Sequence, residues 1–311
     1  MNNMPMYNAG LMIRELRKRK NLSQELLCDG LCEPPTLSKI ECGKQNPTKK
    51  LFEALMSRLG SSAVAFNIPV TTTEFIRGQI ERQVASLFAN SNYQIEELLS
   101  KYSSCSEYMD KLERQFYLFA KSVSGLKRKT LSASEAFEAL SESLKQTFPK
   151  YDTSKDFSKN LLTVFELIIL NNIAITHYMQ NQKTKGIDLL LKIENYFSSH
   201  EIEIEEYAKQ YPVIADNLTA WLAEQKQYKK AFIFAKRGFD CCIKYGKLSH
   251  LPILTYNLGF LSLCLNEEES GINYVNQSIS LLKLMGRGSD IEMIKQDFNS
   301  SFPAYSDKIF F

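Results

Sequence analysis

Three stretches of this chain superimpose without a gap: LNNIAITHYMQNQKTKGIDLL from Leu170, ADNLTAWLAEQKQYKKAFIFA from Ala215 and TYNLGFLSLCLNEEESGINYV from Thr255. Each carries an apolar residue before a small one, at Ile173-Ala174, Leu218-Thr219 and Leu258-Gly259. Twelve positions on comes a second small residue, Gly186, Ala231 or Gly271. Apolar side chains recur at helical spacing on both sides of a polar turn, so each stretch reads as two antiparallel helices. Small residues at the two matched points let those helices approach closely. A helix pair of this size must bury its apolar face by stacking on further pairs. Nothing alternates with period two for long enough to propose a sheet. The 13 Gly and 9 Pro in 311 residues are also too few for a loop-rich β protein.

Weaker pairs precede these three, one within Ile76–Leu99 and one within Val123–Leu140 with Ala136 as its second small residue. Turns are expected at 90–93, 128–132, 181–185, 224–227 and 266–269. The reading is about five helix pairs, then a capping helix from Ser289, whose Ser289-x-x-Glu292 spacing suggests a capping box. The tail Phe298–Phe311 reads as a cap over the last repeat or a frayed end, with docking in its own groove as the other option.

Apolar residues make up 44% and charged residues 23% of the chain, enough to bury a sizeable core. The start, MNNMPMYNAG, lacks a charged segment followed by an apolar one, and so reads as no secretory signal. The most apolar long stretch, 161–175, is interrupted by Glu166, Asn171 and Asn172, and no membrane association is expected. Seven cysteines without paired spacing read as reduced thiols in a cytosol. The three histidines are scattered, and no metal site or cofactor is expected. No phosphate-binding loop, dinucleotide fingerprint, zinc-protease helix or nucleophile elbow occurs, so no catalytic residue is assigned and an enzyme is not expected. Ser124-x-x-Lys127 is a chance-level match in a Ser- and Lys-rich chain.

Charge separates a head from a body. Residues 1–66 hold ten Lys and Arg against six Asp and Glu, a net +4, and the remainder is at −1. A small basic head suggests a polyanionic partner. The head reads as four short helices. Ala9–Lys20 is amphipathic, with Leu11, Ile13 and Leu16 inward. Ser23 stands as an N-cap, and Gly30 marks a turn. Pro34 and Pro35 fit the first turn of a third helix that Gly43 closes. A fourth begins at Asn46-Pro47-Thr48 with Leu51, Leu55 and Leu59 on one face.

This head resembles the Cro/C1-repressor (XRE-type) helix-turn-helix domain over Gly10–Leu59. The resemblance rests on Arg14-x-x-Arg17, Leu22-Ser23-Gln24-Glu25-x-Leu27, Leu37-Ser38-Lys39-Ile40-Glu41-x-Gly43 and Pro47. Pro34-Pro35 departs from it, where the family more often has polar residues facing bases. The third helix is expected in the major groove of double-stranded DNA, with Thr36, Ser38 and Lys39 exposed on it. Gln24 is expected at phosphate or a base, and Arg17 and Lys44 at phosphates. The body resembles the tetratricopeptide repeat, although its offsets of 45 and 40 residues exceed that family's repeat length. The expected fold is all-α, with an N-terminal helix-turn-helix domain and a right-handed tetratricopeptide-like solenoid. The expected domains are 1–66, a linker 67–73, and a repeat domain 74–311 for peptide binding and dimerisation.

One column of the repeats holds Asn172, Asn217 and Asn257. In the tetratricopeptide fold this column belongs to the concave surface. An amide offers both a donor and an acceptor, matching the groups of a peptide bond. The candidate peptide-binding set is Asn171, Asn172, Tyr178, Met179, Asn217, Glu224, Tyr256, Asn257 and Phe260. For any one of its apolar members, ordinary core packing is the favoured role. The joined architecture resembles the peptide-pheromone receptors of Gram-positive bacteria, the PlcR, PrgX and Rgg group. That resemblance implies a cytoplasmic homodimeric transcription regulator acting at a palindromic promoter site and controlled by a short, largely hydrophobic signalling peptide. It also implies a dimerising helix at 74–88. Two other readings fit the same residues: a repressor whose body binds a protein partner or only dimerises, and a helical scaffold without DNA contact.

Overall fold

The computed structural model describes residues 9–63, 68, 70–152 and 155–311. Among them every regular element is a helix, and none is long and apolar enough to cross a membrane. The chain divides into two compact units, Met1–Glu203 and Ile204–Phe311.

The first unit opens with α1 (Ala9–Arg19), α2 (Gln24–Cys28), α3 (Pro34–Glu41) and α4 (Lys49–Arg58). Local chemistry sets their ends. Ser23 and Thr48 accept the backbone N–H groups of Leu26 and Leu51 at 3.1 and 3.2 Å. Pro34 and Pro35 occupy the first turn of α3, and Gly43, at φ +72°, closes it. Ile13, Leu27, Leu37, Ile40, Phe52, Leu55 and Leu59 form the buried core. Leu11, expected inside, is half exposed.

The unit continues through α5 (Thr72–Ala89), α6 (Glu96–Ser104), α7 (Lys111–Lys127), α8 (Ala133–Lys145), α9 (Val164–Met179) and α10 (Lys183–Ser199). Reciprocal capping boxes start α5, α7, α8 and α9, at Thr71/Glu74, Asp110/Glu113, Ser132/Glu135 and Thr163/Glu166. The first four helices are packed onto this body. A Cβ on Gly30 would lie 1.9 Å from the Thr147 carbonyl oxygen, and one on Gly60 2.3 Å from that of Glu201. Both glycines have positive φ, so turn geometry and close approach together require them. A buried bridge adds to the seam. Arg58 reaches Glu166 at 3.3 Å and also donates to the carbonyls of Leu27 and Asp29 at 3.0 and 2.6 Å.

The second unit holds α11 (Ile204–Glu224), α12 (Tyr228–Tyr245), α13 (Leu251–Cys264), α14 (Glu268–Leu284), α15 (Gly288–Ser301) and a 3-10 turn, Pro303–Lys308. The small residues meet as the repeat alignment predicts. A Cβ on Gly259 would meet the Gly271 carbonyl oxygen at 2.9 Å, and one on Gly271 the Gly259 oxygen at 3.0 Å. Thr219 Oγ1 donates to the Ala215 carbonyl of its own helix at 2.7 Å and lies 3.5 Å from the Ala231 carbonyl of the paired helix. The turn between paired helices is the same each time. Asn181, Lys226 and Asn266 take φ of +61°, +58° and +65°. The next N–H returns to the carbonyl five residues back, at 2.9, 2.9 and 2.8 Å. This is the left-handed helix stop that satisfies the last carbonyls.

One expectation changes here, and one choice is resolved. Ser289 is not an N-cap: α15 begins at Gly288, and Arg287, paired with Asp290, occupies the cap position. The tail is a cap over the last repeat. Ile309 is buried with Tyr256, Val275, Ile279 and Phe298. The Asn276 amide donates to the Lys308 carbonyl at 3.1 Å and accepts the Phe310 N–H at 2.9 Å.

Candidate nucleic-acid and peptide sites

The outward surface of α3 is short and polar. Lys39 and, just beyond the helix, Lys44 are exposed, while Thr36 and Ser38 are half-buried. Leu37 and Ile40 face inward with no exposure and anchor the helix. Arg17 and Gln24 are half-buried too, and both bind the Glu41 carboxylate. The Arg17 fork places Nε and Nη2 on the two Glu41 oxygens at 2.6 and 2.7 Å and donates Nη1 to the Leu22 carbonyl at 2.8 Å. Gln24 Nε2 donates to the same carboxylate at 2.7 Å. With three of its five N–H donors held by the fold, Arg17 braces α1 against α3. Burial alone lifts the Glu41 carboxyl, but the bonds from Arg17 and Gln24 outweigh it and hold the group below its ordinary range. The Glu41 bonds raise the Arg17 guanidinium further against a smaller burial effect. Both residues belong to the sequence motif, so the signal was present and its meaning was architectural.

The amide column lies on α9, α11 and α13. In the first unit Asn172 is half-buried and its Nδ2 donates to the Ile168 carbonyl at 2.9 Å. Asn171 is buried, and so is removed from the surface set. Tyr178 is half-buried with the Lys183 ammonium 5.0 Å from its ring, and Met179 is exposed. In the second unit Asn217 is half-buried and Glu224 exposed. Asn257 donates its amide to Asp216 Oδ1 at 2.8 Å, joining α13 to α11. Burial pushes the Asp216 carboxyl up to about 6, with the Asn257 bond opposing it. Asp216, beside Asn217 in the sequence, thus lies with the amide column.

Tyr256 and Phe260 are corrected as well. Tyr256 is 5% exposed, and its hydroxyl donates to Asp297 on α15. Phe260 packs edge-on against Phe302 with centroids 5.1 Å apart. Both rings hold the terminal helix to α13, where they complete a core.

Residues 13–66 match the helix-turn-helix family model. The head is an XRE-type helix-turn-helix domain. No curated protein sequence matches the chain. Solved structures share its fold across nearly its whole length. PlcR from Bacillus thuringiensis, in complex with the peptide PapR7 and DNA, is 19% identical over 92% of this chain and 98% of its own, with a TM-score of 0.59. The apo form of PlcR gives 16%, 92%, 97% and 0.58. ComR from S. thermophilus, in complex with DNA and its signalling peptide ComS, gives 16%, 94%, 99% and 0.50. The helix-turn-helix head and the helical-repeat body therefore occur together in known folds.

Proposed function

We propose that this chain is a cytoplasmic, sequence-specific DNA-binding transcription regulator controlled by a short, largely hydrophobic signalling peptide. The observation that carries this reading is the fold shared over 92% of the chain with a protein solved in complex with both a peptide and DNA. In this reading residues 1–66 bind DNA, 67–73 link, and 74–311 bind peptide and dimerise. Thr36 and Ser38 reach base edges from α3, and Lys39 and Lys44 hold phosphates. A homodimer places two heads on a palindromic site, so that binding one half-site raises the effective concentration of the second head.

The peptide-reading residues are Asn172, Tyr178 and Met179 on α9, and Asp216, Asn217, Glu224 and Asn257 on α11 and α13. Amides and two carboxylates supply both hydrogen-bond polarities for an extended main chain. Peptide acts by binding one arrangement of the regulator more tightly than another. Within the first unit a route to the head is on hand: Glu166, at the start of α9, is held by Arg58 at the end of α4.

Gel-shift titration with a duplex from the gene's own upstream region tests the DNA half. A shift that weakens steeply with salt is expected, and no salt-sensitive shift overturns it. Calorimetry with short hydrophobic peptides tests the other half. Asn217→Ala is expected to lose about 1–3 kcal/mol of affinity if a buried peptide group loses that partner. Unchanged affinity removes Asn217 from the site.

A further inference from the structure

The packed side of α12 is built from small residues. Ala231, Ala235, Gly238, Cys241 and Cys242 are buried. A Cβ on Gly238 would lie 2.7 Å from Ala215 Cβ on α11 and 3.1 Å from Leu254 Cδ1 on α13. Larger side chains take the opposite side. Ile233 and Ile243 are 50% and 58% exposed. Around them α12 carries five Lys and Arg against one Asp. Lys230, Ile233, Arg237, Asp240 and Lys244 follow one another at steps of three and four, so they share one exposed stripe.

The fold does not absorb these cations. Elsewhere in the second unit lysines sit on carboxylates, Lys209 on Glu206, Lys247 on Glu205 and Lys308 on Glu268. On α12 the one acid, Asp240, is taken by Lys236 at 2.8 Å. Among the described residues Lys229, Lys230 and Lys244 have no carboxylate within ion-pair distance. The Lys236 and Lys244 ammonium groups lie 5.1 and 5.0 Å from the ring centroids of Phe239 and Tyr245, which lays them along the surface. Like charges gathered on one face repel, and two isoleucines left in water forgo burial. A counter-surface that is acidic and aliphatic at once relieves both costs. Phosphate answers only the first, since it leaves the isoleucines wet and meets Asp240 with like charge, so nucleic acid is the poorer fit.

We propose that this face of α12 docks an acidic protein segment whose aliphatic side chains lie among its carboxylates. The helix carries none of the peptide-reading residues, so this is a second interaction surface. The carboxylates pair with Lys229, Lys230, Arg237 and Lys244, and the aliphatic groups cover Ile233 and Ile243. From Lys230 to Lys244 the stripe runs about 21 Å, the length of two heptads of a partner helix. Charge sets the partner's sign and speeds its encounter, and the isoleucines supply the apolar anchor.

Fluorescence anisotropy on the full chain tests this with a labelled two-heptad peptide, Glu-Glu-Leu-Glu-Glu-Ile-Glu repeated, and the same peptide with Lys for every Glu as its counterpart. Saturable binding of the acidic peptide that weakens with salt, and none of the basic one, is expected. Lys230→Glu combined with Lys244→Glu, and separately Ile233→Ser, change exposed positions and should preserve the melting temperature while weakening the acidic peptide roughly ten-fold. The proposal is overturned if the acidic peptide does not saturate, if the basic one binds as well, or if both variants keep the wild-type affinity. It is equally overturned if the double variant weakens binding to a non-operator duplex and leaves the acidic peptide unchanged, which assigns the face to nucleic acid. Dissociation of a wild-type dimer by the same substitutions, without acidic-peptide binding, assigns it to a second copy and also overturns the proposal.

Discussion

At the scale of single residues, Glu41 organises the head. It is 2% exposed and receives three charge-bearing or amide donors from α1 and α2. Removing it leaves the Arg17 guanidinium facing a vacated, half-buried position. Glu41→Ala is expected to destabilise the head by about 3 kcal/mol, read as a lower urea midpoint. The pH dependence has a definite sign. Folding holds the Glu41 carboxyl below its ordinary 4.5, so its contribution is complete above that value and is lost as pH falls through the folded-state value. Acid titration followed by far-ultraviolet circular dichroism should show the native head loosening below pH 4.5, with Glu41→Gln weaker throughout and flatter in that window. Asp216 has the opposite character, since burial raises it to about 6. Peptide N–H groups favour its ionised form, so peptide affinity should increase as pH rises through about 6. Asp216→Asn should flatten that rise, and an unflattened profile would remove Asp216 from the peptide site.

At the scale of elements, the repeats were legible because their constraint is local. A small residue in each helix and a left-handed residue in each turn repeat at fixed offsets, and Ala174/Asn181, Thr219/Lys226 and Gly259/Asn266 show both in register. Side-chain partners were less legible. The helix period places Tyr256 and Phe260 on α13 but says nothing of α15, whose Asp297 and nearby Phe302 cover them. Ser289-x-x-Glu292 has the spacing of a cap, yet the preceding turn at Gly286, φ +67°, sets the cap two residues earlier, at Arg287. The Arg17 fork likewise depends on Glu41, 24 residues away, and spacing cannot assign such a partner. The packing of the glycine pair gives a direct test. Gly259→Val adds bulk where even a Cβ lies 2.7 Å from Val275 Cγ2 and 2.9 Å from a backbone oxygen. It should cost about 1–3 kcal/mol or more in thermal or urea unfolding, while a substitution at Gly288, where a Cβ meets nothing, should cost little.

For the whole molecule, the Arg58–Glu166 bridge matters most within the first unit. The Glu166 side chain has no exposure and also accepts from Thr147 Oγ1 at 2.6 Å and the Thr163 N–H at 2.6 Å. Arg58→Met leaves that carboxylate buried without its cation and should cost about 3–5 kcal/mol. Pairing it with Glu166→Gln, which retains the acceptor for Thr163, should recover much of the loss. Equal damage in the single and double variants would show that Arg58 acts through its carbonyl bonds instead. The seam at Gly30 and Gly60 has a consequence for protein engineering. Helix-turn-helix heads invite transplantation between regulators to redirect them to new operators. Here a donor head bearing any side chain at either position would drive a carbon into a carbonyl oxygen of the host. A working chimera must import both glycines along with its reading helix, or accept a head that hangs loose from its host.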